Sequence, residues 1–177
     1  MTAFEHTALI LEIPVTFRVA TREDLPKLEW FGQYTHFRNL IRRSFREQVN
    51  GRRLLLVADF NGFPVGQVFI QFQSMNTNIA DGSTRGYFYS FRVMELFQNR
   101  GIGSRLLHEA EIVLLERGYR YVTLSVAKDN PDALRLYQRN GYEIIGQDDG
   151  RWSYVDHRGV TRDVVEPCWM LEKKLEL

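Results

Sequence analysis

Residues 98–103 read QNRGIG. The run before them, Tyr87 to Val93 (YFYSFRV), is aromatic and strand-like. The residues after them place Leu106, Leu107, Ala110, Val113 and Leu114 on one face and Arg105, Glu109, Glu116 and Arg117 elsewhere, which predicts an amphipathic helix from about Gly101. A strand, a glycine turn and a helix start together make a phosphate cradle. Gly101 and Gly103 remove side chains that would stand between an anion and the first helical N–H groups, and the helix dipole favours negative charge there. The expected anion-binding segment is Gln98, Asn99, Arg100, Gly101, Ile102, Gly103 and Ser104.

The spacing narrows the ligand. A dinucleotide fingerprint would need glycine where Leu106 stands, and GxxxxGK followed by Ser or Thr occurs nowhere. A second stretch follows Gly118, a helix C-terminal glycine by its position, and the strand-like run Tyr121 to Val126. It is NPDALRLYQRNGY, residues 130–142. The ordered pair R/QxxGxG/A and NxxAxxLYxxxGF resembles the GCN5-related N-acetyltransferases. Asn130, Ala133, Leu136, Tyr137, Gly141 and Tyr142 fill every position of the second pattern, with Tyr142 for the usual Phe. Thr16 to Leu28 is similar to the family's opening strand and first helix, so the resemblance spans residues 15 to 175.

That resemblance implies an α/β (α+β) single-domain fold: a central mixed, mostly antiparallel twisted sheet flanked by helices, with a splay between the two strands that hold the cofactor. It also implies transfer of an acetyl group from acetyl-coenzyme A to a primary amine by direct attack in a ternary complex. The amine could belong to a small molecule, an amino acid or a protein N-terminus. A non-catalytic coenzyme A-binding or sensing module on the same fold is the alternative, because a fold does not fix an activity.

Composition agrees. A chain of 177 residues with 44% apolar residues suits one domain, expected over 15–177. Residues 1–14 are expected as an arm or extra strand, with Ala8 to Leu11 a short apolar run that Pro14 ends. Lys plus Arg number 23 against 22 Asp plus Glu, and a net charge of +1 gives no argument for nucleic acid or a membrane surface. A single cysteine, Cys168, excludes an intrachain disulfide, and the first residues carry Glu5 and Glu12 without a basic start or long apolar run. A cytoplasmic setting is the expectation, with a homodimer left open.

Between the motifs, Phe17 to Ala20 reads as a strand, and Thr21 as the cap of a helix with Asp24 at its start and Pro26 in its first turn. Phe37, Leu40, Ile41 and Phe45 predict a helix over about His36 to Val49. Leu54 to Ala58 and Pro64 to Phe72 flank Asn61-Gly62, a hairpin signal. Met75 to Thr84 reads as a loop and Arg85 to Val93 as the next strand. Trp152 to Val155 and Val164 to Leu171 read as a hairpin closing the sheet.

The resemblance assigns roles to positions. Matched from the turn, the backbone of Phe91, Arg92 and Val93 would hold the pantetheine arm and thioester carbonyl. Tyr137 would be the general acid, and Asn130, two helical turns away on the same face, would anchor the cofactor. Where some family members carry a glutamate base, this chain has Tyr87 and Ser125. Tyr87, Tyr89, His36, Asp81, His157, Glu166 and water remain open as the base. Trp30, Phe31, Tyr34 and Phe37 are candidates for an acceptor slot or for core. Arg38, Arg42, Arg43, Arg46, Arg52 and Arg53 argue mildly against a polycationic acceptor. His6, His36, His108, His157 and Cys168 show no ligand spacing, so no metal is expected.

Overall fold

Near-continuous, largely apolar runs on either side of Asn61-Gly62 form the centre of the sheet. β2 (Arg53–Phe60) and β3 (Phe63–Gln71) pair antiparallel, with Phe60 opposite Phe63 and Asn61 and Gly62 both at positive φ in the two-residue turn. The computed structural model describes residues 12–176. β1 (Thr16–Val19) pairs with β2 on one side, and β4 (Arg85–Val93) pairs with β3 on the other. Beyond β4 come β5 (Tyr121–Ala127), β9 (Cys168–Lys174) and β6 (Glu143–Asp148), so the seven-stranded order is β1-β2-β3-β4-β5-β9-β6. Among the described residues only the β4–β5 pair of this sheet is parallel, as a crossover through a helix requires.

That crossover is α2 (Ile102–Glu116). Its apolar stripe, Leu106, Leu107, Ala110 and Leu114, is fully buried with Val68, Ile70, Phe88, Val122 and Leu124 of the sheet. α1 (Arg38–Val49) covers the opposite face, where Ile41 joins Leu28, Leu55, Val57 and Phe69. α3 (Pro131–Arg139) lies on the α2 side. The tyrosine that replaces the second pattern's final Phe has a local reason. Tyr142 is 2% exposed, and its hydroxyl donates to Glu111 Oε1 at 2.9 Å, while Lys173 Nζ reaches Glu111 Oε2 at 2.7 Å. Tyr142→Phe should therefore cost about 2 kcal/mol of unfolding free energy, the usual loss of one hydrogen bond to a charged acceptor that keeps its second partner. Urea denaturation measures it.

Three expectations need correction. The helix expected after Thr21 is only two 3₁₀ turns, Arg22–Asp24 and Lys27–Glu29. Trp30, Phe31 and Gly32 follow at positive φ and stop propagation, and Asp24 is drawn into an ion pair with Arg18 at 2.6 Å. The next helix starts at Arg38, after a 3₁₀ turn over Thr35–Phe37. The C-terminal hairpin does not close the main sheet. β7 (Arg151–Val155) and β8 (Thr161–Val165) form their own two-stranded sheet, and β9 inserts between β5 and β6. The apolar run Ala8 to Leu11 lies outside the described residues, and residues 12–15 carry no regular structure.

Candidate functional site

β4 and β5 pair only from Arg85↔Tyr121 to Phe88↔Leu124. β4 then runs on to Val93 along β3, and β5 to Ala127 along β9, so the two diverge and their facing backbone groups have no strand partner. The cause is visible in β4. Between Tyr89 and Arg92 the register with β3 slips, and Ser90 sits at φ 51°, a conformation uncommon for a non-glycine residue. The fully buried Gln67 holds this bulge by donating from Nε2 to the Ser90 carbonyl at 3.0 Å. Phe91, Arg92 and Val93 therefore line one lip of the splay.

The QNRGIG turn follows that lip. Gln98 Nε2 donates to the Val93 carbonyl at 2.8 Å, Arg100 donates to the Gln98 carbonyl at 3.0 Å, and Asn99 and Gly101 lie at positive φ. α2 starts at Ile102 with Gly101 as its N-cap and no side-chain cap. Its first N–H groups thus lack the partner that a Ser or Asp cap would give. A Cβ on Gly101 would meet nothing within 4 Å, so that position opens outward. Gly103 differs from expectation. A Cβ there would stand 3.3 Å from Phe91 Cζ and 3.4 Å from Leu136 Cδ2, so Gly103 permits close packing of strand and helices. A cleft of ≈ 340 Å³ borders the turn, lined by Arg100, Gly101, Ile102 and Arg105 on one side and Ile13, Val15, Phe17 and Phe97 on the other. A larger polar cleft of ≈ 480 Å³, between Lys128, Asp148 and Pro167, contains no residue of either motif.

The second motif meets the first across the mouth of the splay. Asn140 Nδ2 donates to Ser104 Oγ at 3.1 Å, Leu136 packs toward Gly103, and the Tyr137 ring lies 5.8 Å from that of Phe91. Tyr137 is 6% exposed, and burial first, then the neighbouring Tyr87, pushes its pKa well above the ordinary phenol value. Asn130 is the N-cap of α3: its Oδ1 accepts from the Ala133 N–H at 3.1 Å. Its amide nitrogen has no hydrogen-bond partner among the described residues.

The base candidates separate. Tyr87, in the last paired stretch before the splay, donates to Ser125 Oγ at 3.2 Å and stacks on Tyr89, which bonds Ser44 and Arg53 on the α1 side. Burial raises both phenols. Asp81 is at the far end of β4. Burial opposes its ionisation, but Thr84 Oγ1 and the amides of Arg85, Ser83 and Thr84 outweigh it and hold the carboxylate well below its usual range. His157 is exposed in the β7–β8 turn, and Glu166 is exposed after β8. His36 belongs to an aromatic cluster with Tyr34, Phe37, Trp152 and Tyr154, which the separate hairpin carries over the start of α1. Asp156 locks that hairpin by accepting from Arg162, Val160 and Arg158, which hold its carboxyl at about 2. Cys168 is buried, and burial raises its thiol above the ordinary value. Among the described residues no three His, Cys, Asp or Glu side chains gather as a metal site.

Of the expected slot residues, Trp30 is core, with Nε1 donating to the Pro64 carbonyl, whereas Phe31 is exposed and stacks on Phe63. Tyr34 and Phe37 flank Arg92. The arginine face is partly neutralised, since Arg38 pairs with Glu29, and Arg43 and Arg53 with Glu47. Sequence reasoning missed Gln67 and the Arg92 side chain. A lone glutamine within an apolar run was their one available signal.

Residues 19–142 match the acetyltransferase (GNAT) family. Solved structures agree in fold. Arabidopsis thaliana NAA60 in complex with acetyl-CoA superposes with a TM-score of 0.69 at 19% identity, over 92% of this chain and 99% of that one. Ard1 from Thermoplasma volcanium gives 0.71 at 20%, over 92% and 99%. The ribosomal-protein-S18-alanine N-acetyltransferase from Escherichia coli gives 0.66 at 18%, over 93% and 96%.

Proposed function

Because the chain belongs to the acetyltransferase (GNAT) family, we propose that it is an N-acetyltransferase that uses acetyl-coenzyme A to acetylate a primary amine by direct attack in a ternary complex. The observation that carries this reading is the meeting of the two motifs at a splayed strand pair: an uncapped helix N-terminus beside two arginines, an unpaired strand lip, and a buried phenol at one mouth. Acetyl-coenzyme A supplies the thioester acetyl group when bound, and NAA60, one of the structural relatives, is known in complex with it.

The chain's own groups fit that ligand. The free N–H groups at the start of α2, with Arg100 and Arg105 nearby, hold a pyrophosphate. The N–H and C=O groups of Phe91, Arg92 and Val93 hold an amide-bearing arm as an added strand would and donate to the oxyanion that develops on the carbonyl. Asn130 retains its NH₂ for the arm. Tyr137 gives its proton to the departing sulfur. Cys168 is a poor nucleophile as a buried neutral thiol, which favours direct attack over an acetylated enzyme.

Tyr87 and Ser125 stand where some family members carry a glutamate base. Tyr87 and Tyr89 are raised phenols, already protonated at neutral pH and unable to accept a proton, so neither is the base; we take solvent, rather than His36 of the aromatic cluster, as the acceptor of the amine's proton. The sign for Tyr137 is the same: a raised phenol keeps its proton further into alkaline solution. kcat/KM should then rise with pH until the acceptor amine's own pKa is passed, without an alkaline fall from loss of the acid. Profiles for two amines of different basicity test this, since the break must move with the amine.

The reading is tested by supplying acetyl-coenzyme A with a panel of amines, amino acids and peptides and following released thiol. Amine-dependent release supports it. Saturable binding without release on any amine would favour the non-catalytic coenzyme A-binding module.

A further inference from the structure

Arg92 alternates with Phe91 and Val93, so its side chain leaves the splay on the α1 side while its neighbours face α2 and α3. There its guanidinium lies 3.8 Å from the Tyr34 ring centroid, with Phe37 at 5.6 Å. The other part-buried arginines, Arg18, Arg38, Arg53 and Arg85, each join a carboxylate. Among the described residues Arg92 joins none, and its buried Nη1 has no hydrogen-bond partner. Opposite it in register, Gln67 keeps a buried Oε1 without a donor. A largely buried guanidinium with no carboxylate partner and a buried Nη1 without an acceptor, its hydrogen bonding confined to Tyr34, is costly unless a ligand completes it. Tyr34 covers the face of the fork, and the in-plane N–H edge is the geometry that a carboxylate accepts in bidentate fashion.

Tyr34 and Phe37 stand against this cation, and His36, Trp152 and Tyr154 extend the aromatic cluster from Phe37, with no acidic side chain paired to Arg92 among the described residues. Resting on the acetyl-transfer reading, we propose that the acceptor is a free amino acid with an apolar or aromatic side chain: Arg92 takes its carboxylate, the aromatic cluster takes its side chain, and its amine is presented to the splay. A polyamine lacks the anion, and a protein N-terminus offers a neutral peptide group where the carboxylate would sit.

The test compares aromatic and aliphatic amino acids with their carboxamides on wild type, Arg92→Gln and Tyr34→Leu. Wild type should favour the acids by at least about 30-fold in kcat/KM, the scale of a lost charge-assisted pair in a site built for it. Arg92→Gln should shrink that ratio to below about 3-fold, and Tyr34→Leu should shrink it partway. Equal use of acids and amides by wild type, or an unchanged ratio in folded Arg92→Gln, overturns the proposal while leaving acetyl transfer standing. Calorimetric titration of the coenzyme A-loaded protein with phenylalanine separates the opposite failure. Binding that Arg92→Gln abolishes, without acetylation of any amine, upholds the carboxylate site and sinks the transfer reading. No binding and no acid preference sinks the inference.

Discussion

Tyr137→Phe is expected to lower kcat by roughly 10²- to 10⁴-fold while leaving acetyl-coenzyme A affinity within about 3-fold of wild type. The ring packs between Phe91 and Tyr142, with centroids at 5.8 Å from each, and phenylalanine keeps those contacts. Among the described residues burial and the neighbouring Tyr87, and no hydrogen bond, set the hydroxyl's surroundings, so its removal orphans no partner. What is lost is the proton. A phenol raised by burial is a reluctant acid, but a thiolate leaving in the same dry surroundings is also a stronger base than in water, so the match between them survives burial. Paired calorimetry and turnover measure the effect. Unchanged turnover with chemistry shown to be rate-limiting would remove Tyr137 from the mechanism, and an equal loss of affinity and stability would leave it as packing alone.

Gly101→Glu should weaken acetyl-coenzyme A binding by about 100-fold, near 2.7 kcal/mol, because a carboxylate replaces open space at a helix N-terminus and both excludes and repels a pyrophosphate. Gly101 is at φ 81°, so any side chain also adds backbone strain. Gly101→Asn is the control, since asparagine tolerates that conformation without charge. Its affinity should fall far less. Gly103→Glu is the poorer test, because Phe91 and Leu136 would have to move and lost folding would be read as lost binding. Equal affinities for the Glu and Asn variants would place the anion elsewhere.

The parts legible from sequence were those whose determinants are local. The helix after QNRGIG, the capped helix of NPDALRLYQRNGY and the Asn61-Gly62 hairpin each carry their signal within a few residues. The divergence of β4 from β5 was expected from resemblance alone. Its cause, the Ser90 bulge pinned by Gln67, joins residues 23 positions apart and leaves no periodic trace. β9 reads as a hairpin partner of β7 from its neighbours in sequence, yet pairing with β5 and β6 buries Leu171 completely, and that long-range burial decides its place. Near the candidate site the same division holds. The turn carries its own local pattern and Tyr137 is singled out by the resemblance, whereas the orientation of Arg92 depends on one extra residue in β4, since a single-residue slip exchanges the faces of every side chain beyond it.

The central claim, direct transfer to an amine at the splay, is tested most directly by following isotopically labelled acetyl groups through a single turnover with mass spectrometry. With labelled acetyl-coenzyme A alone, the protein should carry no acetyl adduct and release almost no thiol. Adding the acceptor should give one labelled amide for each thiol released. Labelled acetate in place of the amide, or an acetylated protein that forms before the amine arrives and then passes its label on, would contradict the account.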